Sequence, residues 1–122
     1  MKIDDVKTVA VIGAGDMGHG IAEVALIAGY KVNLQDIKQE FVDKGVGRIN
    51  QSLEKLVSKG KVEAAHFDKI KSELLKSFVD IESAVADADL VIEAIPEILE
   101  LKKATFEKID KAAPQHALLA SN

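Results

Sequence analysis

Apolar and polar positions follow each other along this chain in three distinct patterns. Val9-Ala10-Val11-Ile12 is a short, continuous apolar run that stops at Gly13, as a strand buried on both faces of a parallel sheet reads. Met17, Ile21, Val24, Ala25 and Ala28 then recur at intervals of three and four, which predicts a helix closed by Gly29 as its C-cap. Lys31-Val32-Asn33-Leu34-Gln35 follows as a second strand ending at Asp36. A strand, tight turn, helix and strand within about 30 residues make a βαβ unit, with a right-handed crossover expected.

The pattern changes between Lys38 and Ser77. Val42, Val46, Ile49, Leu53 and Leu56 form a heptad-like stripe, and after a break at Gly60-Lys61 a second stripe runs through Phe67, Ile70, Leu74 and Phe78. This predicts two antiparallel helices packed as a hairpin over about 38–77. Gly45 and Gly47 each weaken the first of them by roughly 1 kcal/mol against alanine, so tertiary packing must hold it. Beyond the hairpin the sequence predicts a weak strand near Phe78-Val79-Asp80 and a short helix over Ser83–Ala86. A strong strand over Leu90–Ala94, ended by Pro96, is followed by a helix over Ile98–Ala112 with Leu101, Phe106 and Ile109 inward. Pro114 ends that helix, and Ala117–Ala120 is a fifth strand.

Composition narrows the class. The 122 residues predict one domain, residues 1–122, with 48% apolar and 30% charged residues, ordinary for a globular chain. A net charge of −4 argues against a nucleic-acid partner, because there is no basic excess to neutralise phosphates. The absence of cysteine removes disulfides and thiolate metal sites and fits a reducing cytoplasm, and no metal site is expected. The start lacks the apolar core of a signal peptide, and no apolar run approaches the about 18 residues of a membrane span.

The chemistry concentrates in Gly13-Ala14-Gly15-Asp16-Met17-Gly18. Between a buried strand and a helix, this GxGxxG turn is built to hold a pyrophosphate. Gly13 permits the turn, Gly15 admits close backbone approach, and Gly18 lets helix and strand pack closely. Asp36 falls at the end of the second strand, 21 residues after Gly15, where a carboxylate accepts bonds from the adenosine ribose hydroxyls and repels a 2′-phosphate. That spacing predicts NAD rather than NADP. His19 reads as a helix-surface residue, and His66 and His116 have no carboxylate at a sequence spacing that would orient them as a base.

Three ordered stretches carry a family resemblance: Val11–Ala22, Ala86–Glu97 and Leu119-Ala120-Ser121-Asn122. Together with the helical hairpin they resemble the L-3-hydroxyacyl-CoA dehydrogenase family, and most of all its 3-hydroxybutyryl-CoA dehydrogenases. The resemblance implies an α/β, Rossmann-type, doubly wound and mostly parallel sheet with the hairpin inserted between strands 2 and 3. It implies Gly13–Gly18 at the pyrophosphate and Asp36 at the adenosine ribose. Glu97 and Lys102 would lie along the nicotinamide half of NAD, and Ser52 and Lys59 at the CoA portion of an acyl-CoA substrate. The activity implied is NAD-dependent oxidation of a 3-hydroxyacyl-CoA to the 3-ketoacyl-CoA, in fatty-acid or hydroxybutyrate metabolism.

In the family, Ser121-Asn122 is followed by a catalytic-site serine, a His–Glu dyad and an all-helical C-terminal domain that completes the substrate pocket and the dimer. None falls within these 122 residues, so the expectation is a cofactor half without catalytic residues, inactive by itself and open to homodimer formation through uncovered apolar patches. Two other readings stay open: a stand-alone NAD(H)-binding or sensing module, and an S-adenosylmethionine-dependent methyltransferase. The GxGxxG spacing and the later motifs count against the second.

Overall fold

The computed structural model of the chain describes residues 6–95 and 99–121. Within them lie strands β1 (Thr8–Ile12), β2 (Lys31–Gln35), β3 (Leu75–Phe78), β4 (Leu90–Glu93) and β5 (Leu118–Ser121). They form one sheet in the order β3-β2-β1-β4-β5, and every pairing is parallel. Helices α1 (Asp16–Ile27), α2 (Gln39–Ser58), α3 (Ala64–Lys69), α4 (Ile81–Val85) and α5 (Leu99–Ala112) complete the Rossmann-type, doubly wound fold expected from the sequence. None of the described helices is long and apolar enough to cross a membrane.

The continuous apolar run of β1 serves two cores at once. Because side chains alternate across a strand, Val9 and Val11 join Leu26, Leu34, Ile49, Leu53 and Ile70 on one face, and Ala10 and Ile12 join Val85, Val91 and Ile109 on the other. The same alternation explains the buried polar residues of β2. Val32 and Leu34 enter the first core, whereas the Asn33 amide donates to the Ala84 carbonyl and the Asp87 carboxylate, and the Gln35 amide to the Val79 carbonyl. These bonds tie β2 to α4 and to the residues just before it, and they satisfy groups that would be costly to leave unpaired.

Helix α1 ends as expected at Gly29, whose φ of +100° lets the N–H groups of Gly29 and Tyr30 reach back to the Leu26 and Ala25 carbonyls. His66, which has no role legible from its neighbours in sequence, places Nε2 3.0 and 3.2 Å from the Leu26 and Ile27 carbonyl oxygens and so caps the same helix end. Of the α2 stripe, Val42, Ile49 and Leu53 are buried and Val46 and Leu56 half-buried.

Gly45 explains how a helix with two interior glycines is held. A Cβ there would stand 2.9 Å from the Ala14 carbonyl oxygen and 3.0 Å from the Ala14 Cβ, so its absence lets α2 settle against the glycine turn.

The second helical stripe is corrected. Helix α3 continues as a π-helical turn, Ile70–Leu74, and the backbone becomes extended at Leu75, so Leu75–Ser77 leave the hairpin for β3. Phe67, Ile70 and Leu74 are buried as predicted, but Phe78 belongs to β3 and packs against the opposite core. The outer edge of β2 decides this, since pairing Val32–Gln35 with Leu75–Phe78 satisfies backbone groups that a helical continuation would leave open. Asp80, expected in that strand, instead caps α4 by accepting the Ser83 N–H. In α5, Ile109 is buried and Phe106 half-buried; the side chain of Leu101, and residues Pro96 and Ile98, lie outside the described residues.

At the amino ends of the strands the Asp89 carboxylate accepts the N–H groups of Lys7 and Thr8 at 2.9 and 3.1 Å and lies 2.8 Å from His116 Nε2. This corrects the expectation that His116 has no carboxylate to orient it. The partner is 27 residues away and arrives through the pairing of β4 with β5. The Lys7 N–H above all, then His116 and the Thr8 N–H, hold the Asp89 carboxyl below its ordinary value, against the opposing effect of burial.

Gly47→Ala, where a Cβ meets nothing, should stabilise by about 1 kcal/mol through helix propensity, whereas Gly45→Ala should destabilise by about 1–3 kcal/mol through overpacking. Urea unfolding measures both, and equal effects of the same sign would refute the docking role of Gly45. Asp89→Ala should cost about 1–3 kcal/mol near neutral pH. Because the folded-state value is lowered, that difference is full above the ordinary carboxylate range and shrinks as pH falls through it, from about pH 5 downward. A difference that stays constant into acid would show that the carboxylate charge is not what binds there.

Candidate cofactor-binding site

The strand order reverses between β1 and β4, and in an open parallel sheet that is where a crevice forms beyond the carboxyl ends of the strands. A cleft of about 710 Å3 lies there, floored by Ile12 and Gly13 and walled by Ile37, Ile81, Ile95 and Thr105. The glycine turn forms its rim. Gly13 has φ +105°, and its N–H donates to the Gln35 carbonyl at 2.7 Å. A Cβ at Gly13 would lie 2.9 Å from the Ala94 carbonyl oxygen, and one at Gly18 only 1.7 Å from that of Gly13. At Gly15 a Cβ would meet nothing within 4 Å. The turn is thus closed toward the protein at Gly13 and Gly18 and open at Gly15.

Helix α1 starts at Asp16 with Gly15 as its N-cap and no capping side chain. Its first-turn N–H groups and dipole offer a partial positive charge beside the cleft, matched to an anionic ligand. Met17 is exposed, and Asp16, also exposed, is paired with the Arg48 guanidinium of α2. Asp36 closes the other side. One carboxylate oxygen accepts the Ala14 N–H at 2.9 Å and the other the Ile37 N–H at 2.7 Å. Two backbone bonds therefore fix its orientation, and a carboxylate with about four acceptor positions keeps others for a ligand hydroxyl.

At the exit of β4 the Glu93 side chain is fully buried. Its Oε2 accepts the Ile95 N–H at 2.6 Å, and its Oε1 lies 3.3 Å from Lys102 Nζ, itself mostly buried. Lys102 is thereby held next to the cleft-lining pair Ala94 and Ile95. From its neighbours in sequence Glu93 reads only as a strand residue; its sign is that it is the one carboxylate inside the apolar run Leu90–Ala94. Glu97 lies outside the described residues.

The remaining candidates are elsewhere. The Ser52 hydroxyl donates to the Glu23 carboxylate at 2.9 Å, joining α2 to α1, and Lys59 is the exposed residue that ends α2. Neither lines the cleft. His19 Nδ1 lies 2.8 Å from the Gly15 carbonyl oxygen, in keeping with a helix-surface residue. Residues that sequence reasoning missed include Gly45, which seats α2 on the turn, and the cleft walls Ile37, Phe41, Ile81 and Thr105, which come from four separate segments.

Residues 8–122 match the family model for the 3-hydroxyacyl-CoA dehydrogenase NAD-binding domain. Over 117 residues the chain is 42% identical to the glyoxysomal fatty acid beta-oxidation multifunctional protein of Brassica napus, covering 96% of this chain and 16% of that protein. It is 43% identical over 118 residues to the 3-hydroxyadipyl-CoA dehydrogenase of Escherichia coli, covering 97% and 24%. The crystal structure of 3-hydroxybutyryl-CoA dehydrogenase from Escherichia coli superposes with a TM-score of 0.89 at 42% identity, over 97% of this chain and 25% of that one. The chain spans a quarter or less of the length of each.

The geometry of the turn makes two substitutions diverge. Gly18→Ala must displace backbone and should cost about 3 kcal/mol in chemical denaturation. Gly15→Ala should leave stability within about 0.5 kcal/mol while abolishing detectable binding of a dinucleotide. Undiminished dinucleotide affinity in Gly15→Ala would refute a ligand lying against that backbone.

Proposed function

Because the chain belongs to the 3-hydroxyacyl-CoA dehydrogenase family and matches its NAD-binding domain, we propose that Gly13–Gly18 hold the pyrophosphate of NAD and Asp36 the adenosine ribose. The observation that carries this reading is the pinned Asp36 carboxylate, fixed by the Ala14 and Ile37 N–H groups at the edge of the aliphatic-walled cleft that the glycine turn borders. The cleft fits the cofactor: its walls are largely aliphatic, the backbone at Gly15 is bare, and a helix start stands beside it. Lys102, steadied by buried Glu93, and Glu97 would lie along the nicotinamide half. Ser52 and Lys59, outside the cleft, would meet the CoA portion of the substrate.

In the whole protein the reaction we propose is oxidation of a 3-hydroxyacyl-CoA to the 3-ketoacyl-CoA, with NAD⁺ accepting a hydride from the carbinol carbon. This region binds and orients the cofactor and excludes water from one side of it. The base for the substrate hydroxyl comes from outside these residues. In support, each histidine here already has a structural partner: His19 the Gly15 carbonyl, His66 the end of α1, and His116 Asp89 at the amino end of the sheet. A helical second domain would supply that base and the dimer contacts, and the exposed Leu118 and Leu119 of edge strand β5 are in line with further covering. The cysteine-free composition favours the cytoplasm, although the name of one relative places it in glyoxysomes.

Calorimetric titration tests the cofactor reading directly. Asp36→Ala should weaken NAD by about tenfold, the value of about 1.4 kcal/mol for lost charge-assisted bonds, and should not weaken NADP. Equal losses for both dinucleotides, or a folded wild-type protein that ignores millimolar NAD, would refute it.

A further inference from the structure

Next to the long cleft, and sharing Gly15, Asp16, Asp36 and Phe41 with it, lies a smaller recess of about 290 Å3. Gly15 and Asp16 of the turn, Asp36, and Phe41, Lys44 and Arg48 of α2 line it. Its existence follows from Gly45, which allows α2 to lie against Ala14 and so brings the next polar stripe of the helix to the turn. Lys44 and Arg48 are four residues apart and therefore share one helix face, with Phe41 on the same row. Two cations thus stand within one recess that also contains the two carboxylates of Asp16 and Asp36.

The four charges are not equivalent. Asp16 and Arg48 are paired, but their side chains are 94% and 43% exposed, so the pair is well screened and easily exchanged for another anion. Asp36 is instead fixed by two backbone N–H groups and cannot turn away. With Asp36 charged, the formal charges of the recess cancel; with Asp36 neutral, one positive charge is left over. Arg48 and Lys44 both line this opening beside bare backbone, and a guanidinium with an ammonium suits a phosphate group, which an Arg can grip through two parallel bonds.

Resting on the assignment of Asp36 to the adenosine ribose, we propose that this recess is a latent site for a 2′-phosphate. Lys44 and Arg48 are positioned to hold the extra phosphate of NADP, and the charge of Asp36 alone excludes it. Cofactor choice in this protein then rests on one carboxylate set over a preformed cationic recess, not on the absence of phosphate-binding groups.

The test measures NAD and NADP dissociation constants for the full chain as wild type, Asp36→Asn, Asp36→Ser, and Asp36→Asn combined with Lys44→Ala and Arg48→Gln. Asparagine keeps an oxygen to accept the Ala14 N–H, and serine gives a second neutral variant should the amide disturb the turn. Either neutral variant should bind NADP about tenfold tighter than wild type, with a gain that fades in high salt. Removing both cations should abolish that gain while changing NAD affinity by no more than about twofold. The proposal is overturned if neither Asp36 variant gains NADP affinity, or if the gain survives loss of Lys44 and Arg48. A wild-type protein that binds NAD while its variants gain nothing refutes this inference alone. One that fails to bind NAD at all refutes the underlying assignment, and this inference with it.

Discussion

Backbone lies against backbone around residue 13, and most of the molecule is arranged to permit it. The Gly13 carbonyl occupies the space that a Cβ of residue 18 would need, and the Cβ absent from Gly13 leaves room for the Ala94 carbonyl. Strand β1, the start of α1 and the exit of β4 therefore meet at one point with no side chain between them. The absent Cβ of Gly45 extends the same economy to α2, which rests on Ala14. Side chains come in only at the margins, where the Asp36 carboxylate holds the Ala14 N–H and the Arg48 guanidinium pairs with Asp16. A turn bonded on so many sides is preorganised, and a ligand bound against it loses little to ordering.

The polar residues divide between the two ends of the sheet. At the carboxyl end, Asp36 and the Glu93–Lys102 pair flank a cleft with aliphatic walls, where low polarity strengthens each charge. At the amino end, Asp89 gathers the Lys7 and Thr8 N–H groups and His116, and so fastens the starts of β1 and β4 to the approach to β5. The first end is open to a ligand, and the second spends its acceptors within the protein. One sheet thus carries a carboxylate kept for recognition and another consumed by architecture, and only their neighbours distinguish them.

Much of this was legible in the chain itself. The double-sided burial of Val9–Ile12, the helix behind it, the glycine at its end and the acidic residue after the second strand all follow from short-range rules, and each appears where those rules put it. The hairpin was legible as two stripes, but its end was not. Leu74 and Phe78 keep helical spacing, yet the open edge of β2 draws Leu75–Phe78 into the sheet, because unpaired strand groups outweigh a local pattern. His66 and His116 looked unattached for a related reason. Their partners, the end of α1 and Asp89, are remote in sequence and become neighbours only through packing.

By itself, then, the sequence determined the period of each element, the conformations that Gly13 and Gly29 make available, and the pairing of a glycine turn with an acidic strand end. These depend on residues close together along the chain, where sterics and spacing act directly. Tertiary structure alone decided which face of α2 meets the turn, that Glu93 and Lys102 share a buried pair, and that Lys44 and Arg48 stand beside Asp36. Those outcomes depend on which backbones can approach closely enough to touch, a property of whole packed surfaces rather than of any one stretch of residues.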